Sequence, residues 1–168
     1  MTAYYGPEPL EINGYRIGLE YITYMGRDIE VLLNQHYAET EVAYLDEPVK
    51  VDLARYAAFE QGGTFWSFTT RKVDTDQMVG YLIGYLQRSM HAETTIATED
   101  AFYLVKDCRG SGLAKKMLQY AEKALKARGA DYLFMTSKKP VGGPNIGPFL
   151  ETQGYRPVAV AFSKKLEV

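Results

Sequence analysis

Between an apolar strand and a long amphipathic helix the chain carries the turn Arg109-Gly110-Ser111-Gly112-Leu113-Ala114, and this junction restricts the fold more than any other stretch. Upstream, Ala101, Phe102, Tyr103, Leu104 and Val105 form a short aromatic and β-branched run, the pattern of a buried strand. Downstream, Leu113, Met117, Leu118, Ala121, Ala124 and Leu125 recur at helical spacing. A strand feeding a helix through glycines is also a device for holding an anion. The first backbone N–H groups of the helix lack intrahelical partners and lie at the positive end of its macrodipole. Glycines remove the Cβ atoms that would keep a phosphate away. A Walker A loop is excluded by the missing Gly-Lys-Ser/Thr, and the dinucleotide fingerprint by its absent third glycine.

The other elements follow from periodicity and punctuation. Residues 15–24 alternate as a first strand closed by Gly26, and residues 28–37 read as a helix carrying Ile29, Leu32, Leu33 and Tyr37 on one face. After an acidic, irregular stretch over 38–52, a second helix over 53–61 stops at Gly62-Gly63. Residues 64–71 and 78–87 suggest an antiparallel hairpin, and the strand ending at Val105 comes next. The long helix ends at Lys126, Arg128 and Gly129. A strand over 131–137, a turn at Gly142-Gly143-Pro144, a short helix over 145–153 and a last strand over 155–164 complete the order. This is a mixed α/β sheet flanked by helices, with a crossover at the long helix between two parallel strands.

At 168 residues the chain is most economically one domain, residues 1–168, with no repeat or linker dividing it. The balance of 19 basic and 21 acidic residues, net −2, argues against a general nucleic-acid binder. Cys108 is the only cysteine, which excludes an intrachain disulfide and a cysteine-based metal cluster; no metal is expected. No apolar run is long enough for a membrane span and the N-terminus lacks a leader pattern, so the expectation is a cytoplasmic protein without membrane contact. The 14 tyrosines suggest packing surface with polar rims.

These residues resemble the GCN5-related N-acetyltransferase (GNAT) family. Its R/Q-x-x-G-x-G/A motif is matched by Arg109, Gly112 and Ala114, and its E-x-x-G-aromatic ending by Glu151, Gly154 and Tyr155. The element order from Tyr15 to the C-terminus fits as well, and the C-terminal half also resembles acetyltransferases of tailed phages. The resemblance implies a mostly antiparallel sheet with a splayed parallel strand pair, and acetyl-CoA as co-substrate. It implies that the pyrophosphate lies on the N–H groups of Arg109, Gly110, Ser111, Gly112, Leu113 and Ala114, and pantetheine along the open edge of the Val105 strand. Backbone N–H groups near Leu104 and Val105 would polarise the thioester carbonyl, and Asn145 would touch the cofactor.

The implied reaction is direct transfer of acetyl to a primary amine in a ternary complex. The alternative is a catalytically weak acyl-CoA-binding protein, a sensor or assembly component. The family's base position falls on Glu99, with Asp100 as the other candidate. Strand parity puts Glu99, Ala101, Tyr103 and Val105 on one face, and a bulge would swap the sets. Where many members carry a tyrosine acid this chain has Leu150, leaving Tyr103 as a donor from the strand. His91 and His36 read as an exposed loop residue and a helix residue. Cys108 would have a lowered pKa if exposed at the helix start, and Lys138-Lys139 would meet the 3′-phosphate or solvent. Glu39, Glu41, Asp46 and Glu47 hint at a cationic amine acceptor, small molecule or protein, and edge strands suggest a homodimer.

Overall fold

The computed structural model describes residues 6–40, 49–138 and 144–164. Six strands form one sheet in sequence order: β1 (Leu10–Ile12), β2 (Tyr15–Leu19), β3 (Phe65–Lys72), β4 (Met78–Arg88), β5 (Thr95–Leu104) and β6 (Tyr132–Phe134). Every neighbouring pair is antiparallel except β5 and β6, which run parallel on either side of the long-helix crossover. The helices are α1 (Ile22–Thr40), α2 (Leu53–Gln61), α3 (Leu113–Ala127) and α4 (Gly147–Thr152).

Each sheet face carries its own core. On one, α3 lays Met117, Leu118, Ala121, Ala124 and Leu125 against Ile17, Trp66, Phe68, Leu82 and Ala97, and α4 adds Leu150. On the other, Ile22, Met25, Ile29 and Leu32 of α1 pack on Phe65, Tyr81, Ile83 and Tyr103, with Tyr56 of α2 alongside. Each large side chain so buried stabilises the fold by roughly 1.5–3 kcal/mol. Alternation along β4, with Tyr81 and Ile83 to one side and Leu82 to the other, divides the two cores.

Five expectations change. The strand over 15–24 ends at Leu19, because Glu20 is buried against Arg71 and the Ile22 N–H is capped by the Glu60 carboxylate at 3.0 Å, so α1 has already begun. Gly26 is not a strand end; at φ 52°, ψ −132° it is a kink inside α1. A strand before Tyr15 joins β2 through Asn13-Gly14, both at positive φ, the two-residue turn that matches hairpin twist. At the other end β6 spans three residues, and 155–164 form no strand. Pro157 has no N–H for a ladder, and Val158, Val160 and Phe162 stay exposed.

Candidate active site

β5 and β6 pair only through Ile96–Tyr132, Ala97–Leu133 and Thr98–Phe134, and beyond that point they diverge. Glu99 is the first residue of the fork, and its carboxylate accepts the Thr136 N–H across the gap at 3.0 Å. On its other side β5 stays paired with β4 as far as Leu104. The Val105 N–H donates to the Val79 carbonyl at 2.9 Å, so ladder alternation turns the N–H groups of Phe102 and Leu104 toward the open edge. Of the two backbone donors expected for a thioester carbonyl, Val105 is therefore engaged elsewhere and Leu104 faces the fork.

A bulge decides which way the carboxylates point. Ile83 opposes Ala101 and Gly84 opposes Glu99, so Asp100 has no partner on β4. Unbroken parity would have grouped Glu99 with Ala101 and Tyr103. The extra residue leaves Glu99 on the α3 face opposite Gly84, and sends Ala101 and Tyr103 to the α1 face. Asp100 goes the same way and accepts from the Tyr56 hydroxyl at 3.3 Å. Gly84 makes this possible, since a Cβ there would lie 2.1 Å from the Thr98 carbonyl oxygen and 2.4 Å from the Trp66 ring.

The glycine turn closes the other end of the fork. Gly110 at φ 77° and Gly112 at φ 81° adopt the left-handed conformation, with open space where side chains would otherwise stand. Gly112 caps α3, whose first N–H groups face that space; Ser111 donates its hydroxyl to the Cys108 carbonyl at 2.7 Å and accepts the Leu113 N–H loosely at 3.4 Å. Leu113 itself anchors the turn by its buried side chain. Cys108 is buried in the same core beside the Tyr15 hydroxyl, so the exposure its reactivity required is absent.

Between fork and turn lies a cavity of about 250 Å³, lined by residues of both sheet faces. It is lined by Glu99, Asp100, Tyr103, Leu104, Arg109, Gly110 and Ala114, by Ile146 and Phe149 near α4, and by His36, Glu39 and Thr40 of α1. Burial pushes the Glu99 carboxyl up to about 7; the Thr136 N–H opposes the shift and Asp100 adds to it. Asp100 is also raised by desolvation, which the Tyr56 hydrogen bond partly offsets. Arg109 folds back from the turn: its Nε donates to the Leu104 carbonyl at 2.7 Å and its Nη2 to Glu39 at 2.9 Å, with the guanidinium 5.3 Å from the centre of the Tyr103 ring. Tyr103 donates its hydroxyl to the other Glu39 oxygen at 2.8 Å. Burial first, and then that hydrogen bond, raise the phenol to about 12, so its proton is directed at Glu39 rather than into the open edge. Burial tends to raise the Glu39 carboxyl, but the Tyr103 and Arg109 hydrogen bonds outweigh it and hold the group below its ordinary value.

Other expected residues stand elsewhere. Asn145 uses Oδ1 to accept from the Ser137 hydroxyl at 3.1 Å and the Gly147 N–H at 3.0 Å, holding the start of α4; its neighbours line the cavity and it does not. Leu150 is core. His91 is on the exposed loop before β5. Lys138 lines the cavity with its pKa lowered by burial, while Lys139, Glu41, Asp46, Glu47, Gly142 and Gly143 lie outside the described residues. His36, by contrast, matters more than its sequence context suggests. It stacks on Tyr103 at 5.0 Å, bonds the Tyr81 hydroxyl at 2.7 Å, and is held neutral by burial at a pKa of about 4, with Lys138 contributing. Among the described residues no cluster of three or more His, Cys, Asp or Glu is placed to hold a metal ion, and no helix is long and apolar enough to cross a membrane.

A mostly antiparallel sheet forked beside a glycine turn at a helix N-terminus is the architecture of the GNAT acetyltransferases. The model of the acetyltransferase (GNAT) family matches residues 29–155, more than half of the sequence, and the chain belongs to that family. A search of curated proteins finds no match. Among solved structures, an aminoglycoside acetyltransferase from an uncultured soil metagenomic sample superposes with a TM-score of 0.72 at 15% identity, covering 91% of this chain and 99% of that one. An acetyltransferase of Trypanosoma brucei gives 0.69 at 16%, covering 90% and 99%. Ribosomal-protein-alanine N-acetyltransferase of Brucella melitensis biovar Abortus 2308 gives 0.64 at 18%, covering 93% and 99%. At these identities the structures share the fold. The family generally uses acetyl-CoA, and the left-handed glycines, the open edge of β5 and the glycine-capped start of α3 fit such a donor.

Proposed function

We propose that this chain transfers acetyl from acetyl-CoA to a primary amine by direct attack in a ternary complex, with Glu99 as the base. The observation that carries this reading is the position of Glu99: a carboxyl raised to about 7 at the mouth of the fork, in one cavity with Leu104 and the glycine turn. A base with that pKa is half ionised near neutral pH, where it serves proton transfer best. Gly110, Ser111, Gly112 and Ala114 would hold the pyrophosphate by their N–H groups, the expected N–H groups of Arg109 and Leu113 being engaged by the Lys106 carbonyl at 3.0 Å and the Ser111 hydroxyl at 3.4 Å, and Leu104 would direct its N–H at the thioester oxygen.

Glu99 takes one proton from the ammonium, the freed nitrogen bonds to the acetyl carbon as the carbon–sulfur bond breaks, and the second proton lost by the nitrogen passes through water to the departing thiolate. No side-chain acid is required, which suits the buried Leu150 at the position of the family's tyrosine. The test is CoA thiol release with a panel of primary amines, wild type against Glu99→Gln. Turnover by the wild type and a loss of about a hundredfold in the variant is the expected result. CoA binding with no turnover on any amine would support the acyl-CoA-binding reading instead, and failure to bind CoA would overturn both.

A further inference from the structure

We infer that Glu39 is the anchor for a second, non-reacting ammonium of the acceptor, and that Arg109 stands in for that ammonium until the donor's pyrophosphate draws it away. The inference rests on the acetyl-CoA reading above and adds the acceptor's class: an amine carrying another cationic group. Glu39 lies in the last turn of α1 (Ile22–Thr40), where the negative end of the helix dipole disfavours a carboxylate and favours a cation beside it. It is nonetheless kept charged, by Arg109 on Oε2 and Tyr103 on Oε1.

The two holds differ in kind. Tyr103 is a fixed strand residue, buried and stacked on His36, and it orients the carboxylate permanently. Arg109 belongs to the anion-binding turn, and its guanidinium occupies both Glu39 and the Leu104 carbonyl on the open edge. A pyrophosphate on the adjacent backbone offers that guanidinium a bidentate anionic partner of higher charge. Once Arg109 turns to it, Glu39 keeps its Tyr103 hydrogen bond and loses its paired cation, while the Lys106 charge still acts on it through space. The cavity wall then holds Glu39, Glu99 and Asp100 against Lys138, with His36 neutral. Glu99 serves the reacting nitrogen, and Glu39 remains for a second positive charge.

The experiment compares Glu39→Gln with wild type in two readouts. CoA binding by calorimetry is expected to tighten about threefold in the variant, because Arg109 is released in advance. In kinetics with a series of α,ω-diaminoalkanes and the matched monoamines, the wild-type preference for diamines should fall about tenfold, through KM rather than kcat. Arg109→Gln covers the case in which Glu39→Gln does not fold; it should weaken CoA binding and keep the diamine preference. An unchanged diamine-to-monoamine ratio in Glu39→Gln, a diamine preference lost in Arg109→Gln, or a wild type without that preference would each overturn the inference while leaving acetyl transfer itself intact. Failure of the wild type to bind CoA is the separate failure of the underlying reading.

Discussion

Glu99 and His36 are perturbed in ways that reach beyond catalysis, because a pKa that differs between folded and unfolded chains makes stability depend on pH. For Glu99 burial favours the neutral acid, so its folded value of about 7 lies above the ordinary 4.5. Its neutral form is accommodated at low pH, and stability is lost as pH rises from about 4.5 through about 7. Melting curves should therefore show Glu99→Gln gaining on wild type between about pH 5 and pH 8, with the two separating little at the acid end. His36 has the opposite sense. It is held neutral with a folded pKa of about 4 against an ordinary 6.5, so stability is lost as pH falls from 6.5 toward 4. Replacing it with Gln should flatten the acid limb of the stability curve, measured by denaturant midpoint against pH. The sequence exposes the two residues unequally. Glu99 is found by counting back along a recognisable strand. Glu39 is read from the sequence only as one of an acidic cluster, and its place beside His36 is legible only once Ile22, Met25, Ile29 and Leu32 are seen as one stripe that the two polar residues continue at helical spacing. A polar side chain extending an apolar stripe into a cavity is the signal; it disappears if the helix is taken to end at Tyr37.

Among the elements, those with strong periodicity were readable: α2 matches its expected range, α3 starts at Leu113, and β3 and β4 fall within a residue of expectation. The hidden features depend on contacts distant in sequence. Nothing near Glu99 announces the β5 bulge, because its cause sits on the neighbouring strand at Gly84. A methyl group there would meet the Thr98 carbonyl at 2.1 Å, closer than any real contact, so the strands must separate or the bulge must move. Gly84→Ala should therefore cost about 2–4 kcal/mol, read as a fall in denaturant midpoint at unchanged slope. It should also lower kcat disproportionately if the bulge shifts, since that rotates Glu99 away from the face it shares with the fork. Loss of stability with kcat intact in the folded fraction would separate the two effects and assign the bulge a packing role alone. The unformed strand over 155–164 belongs here too: alternating Val158, Val160 and Phe162 carry the right period, but a period specifies a strand only where an edge receives it.

Across the whole molecule, the site depends on α1 approaching the fork at a fixed angle, although Gly26 breaks the helix near its start. One buried side chain spans that break. Arg71 of β3 donates twice to Glu20 after β2, at 2.9 and 3.1 Å, and once to Asp28 just past the kink at 2.7 Å; it also reaches the Asp76 carbonyl at 2.8 Å. Glu20 is fully buried and takes a further hydrogen bond from Thr69 at 2.7 Å. Such a cluster contributes modestly relative to a well-packed apolar replacement, but removing one member leaves a stranded charge. Arg71→Met should thus destabilise by about 3–5 kcal/mol, lowering the melting temperature by roughly 10 °C in a chain of this size. The double variant Arg71→Met with Glu20→Leu should recover much of that loss, because no uncompensated carboxylate remains. Recovery of stability need not restore the site, since the double variant still lacks the tie to Asp28 that fixes α1 beyond its kink. If α1 then swings, Glu39 leaves Tyr103 and Arg109, and CoA affinity and acceptor KM both change in a protein that melts nearly as wild type does. If both constants stay at wild-type values in the double variant, packing of Ile29 and Leu32 alone positions α1, and the ion cluster serves the sheet without reaching the site.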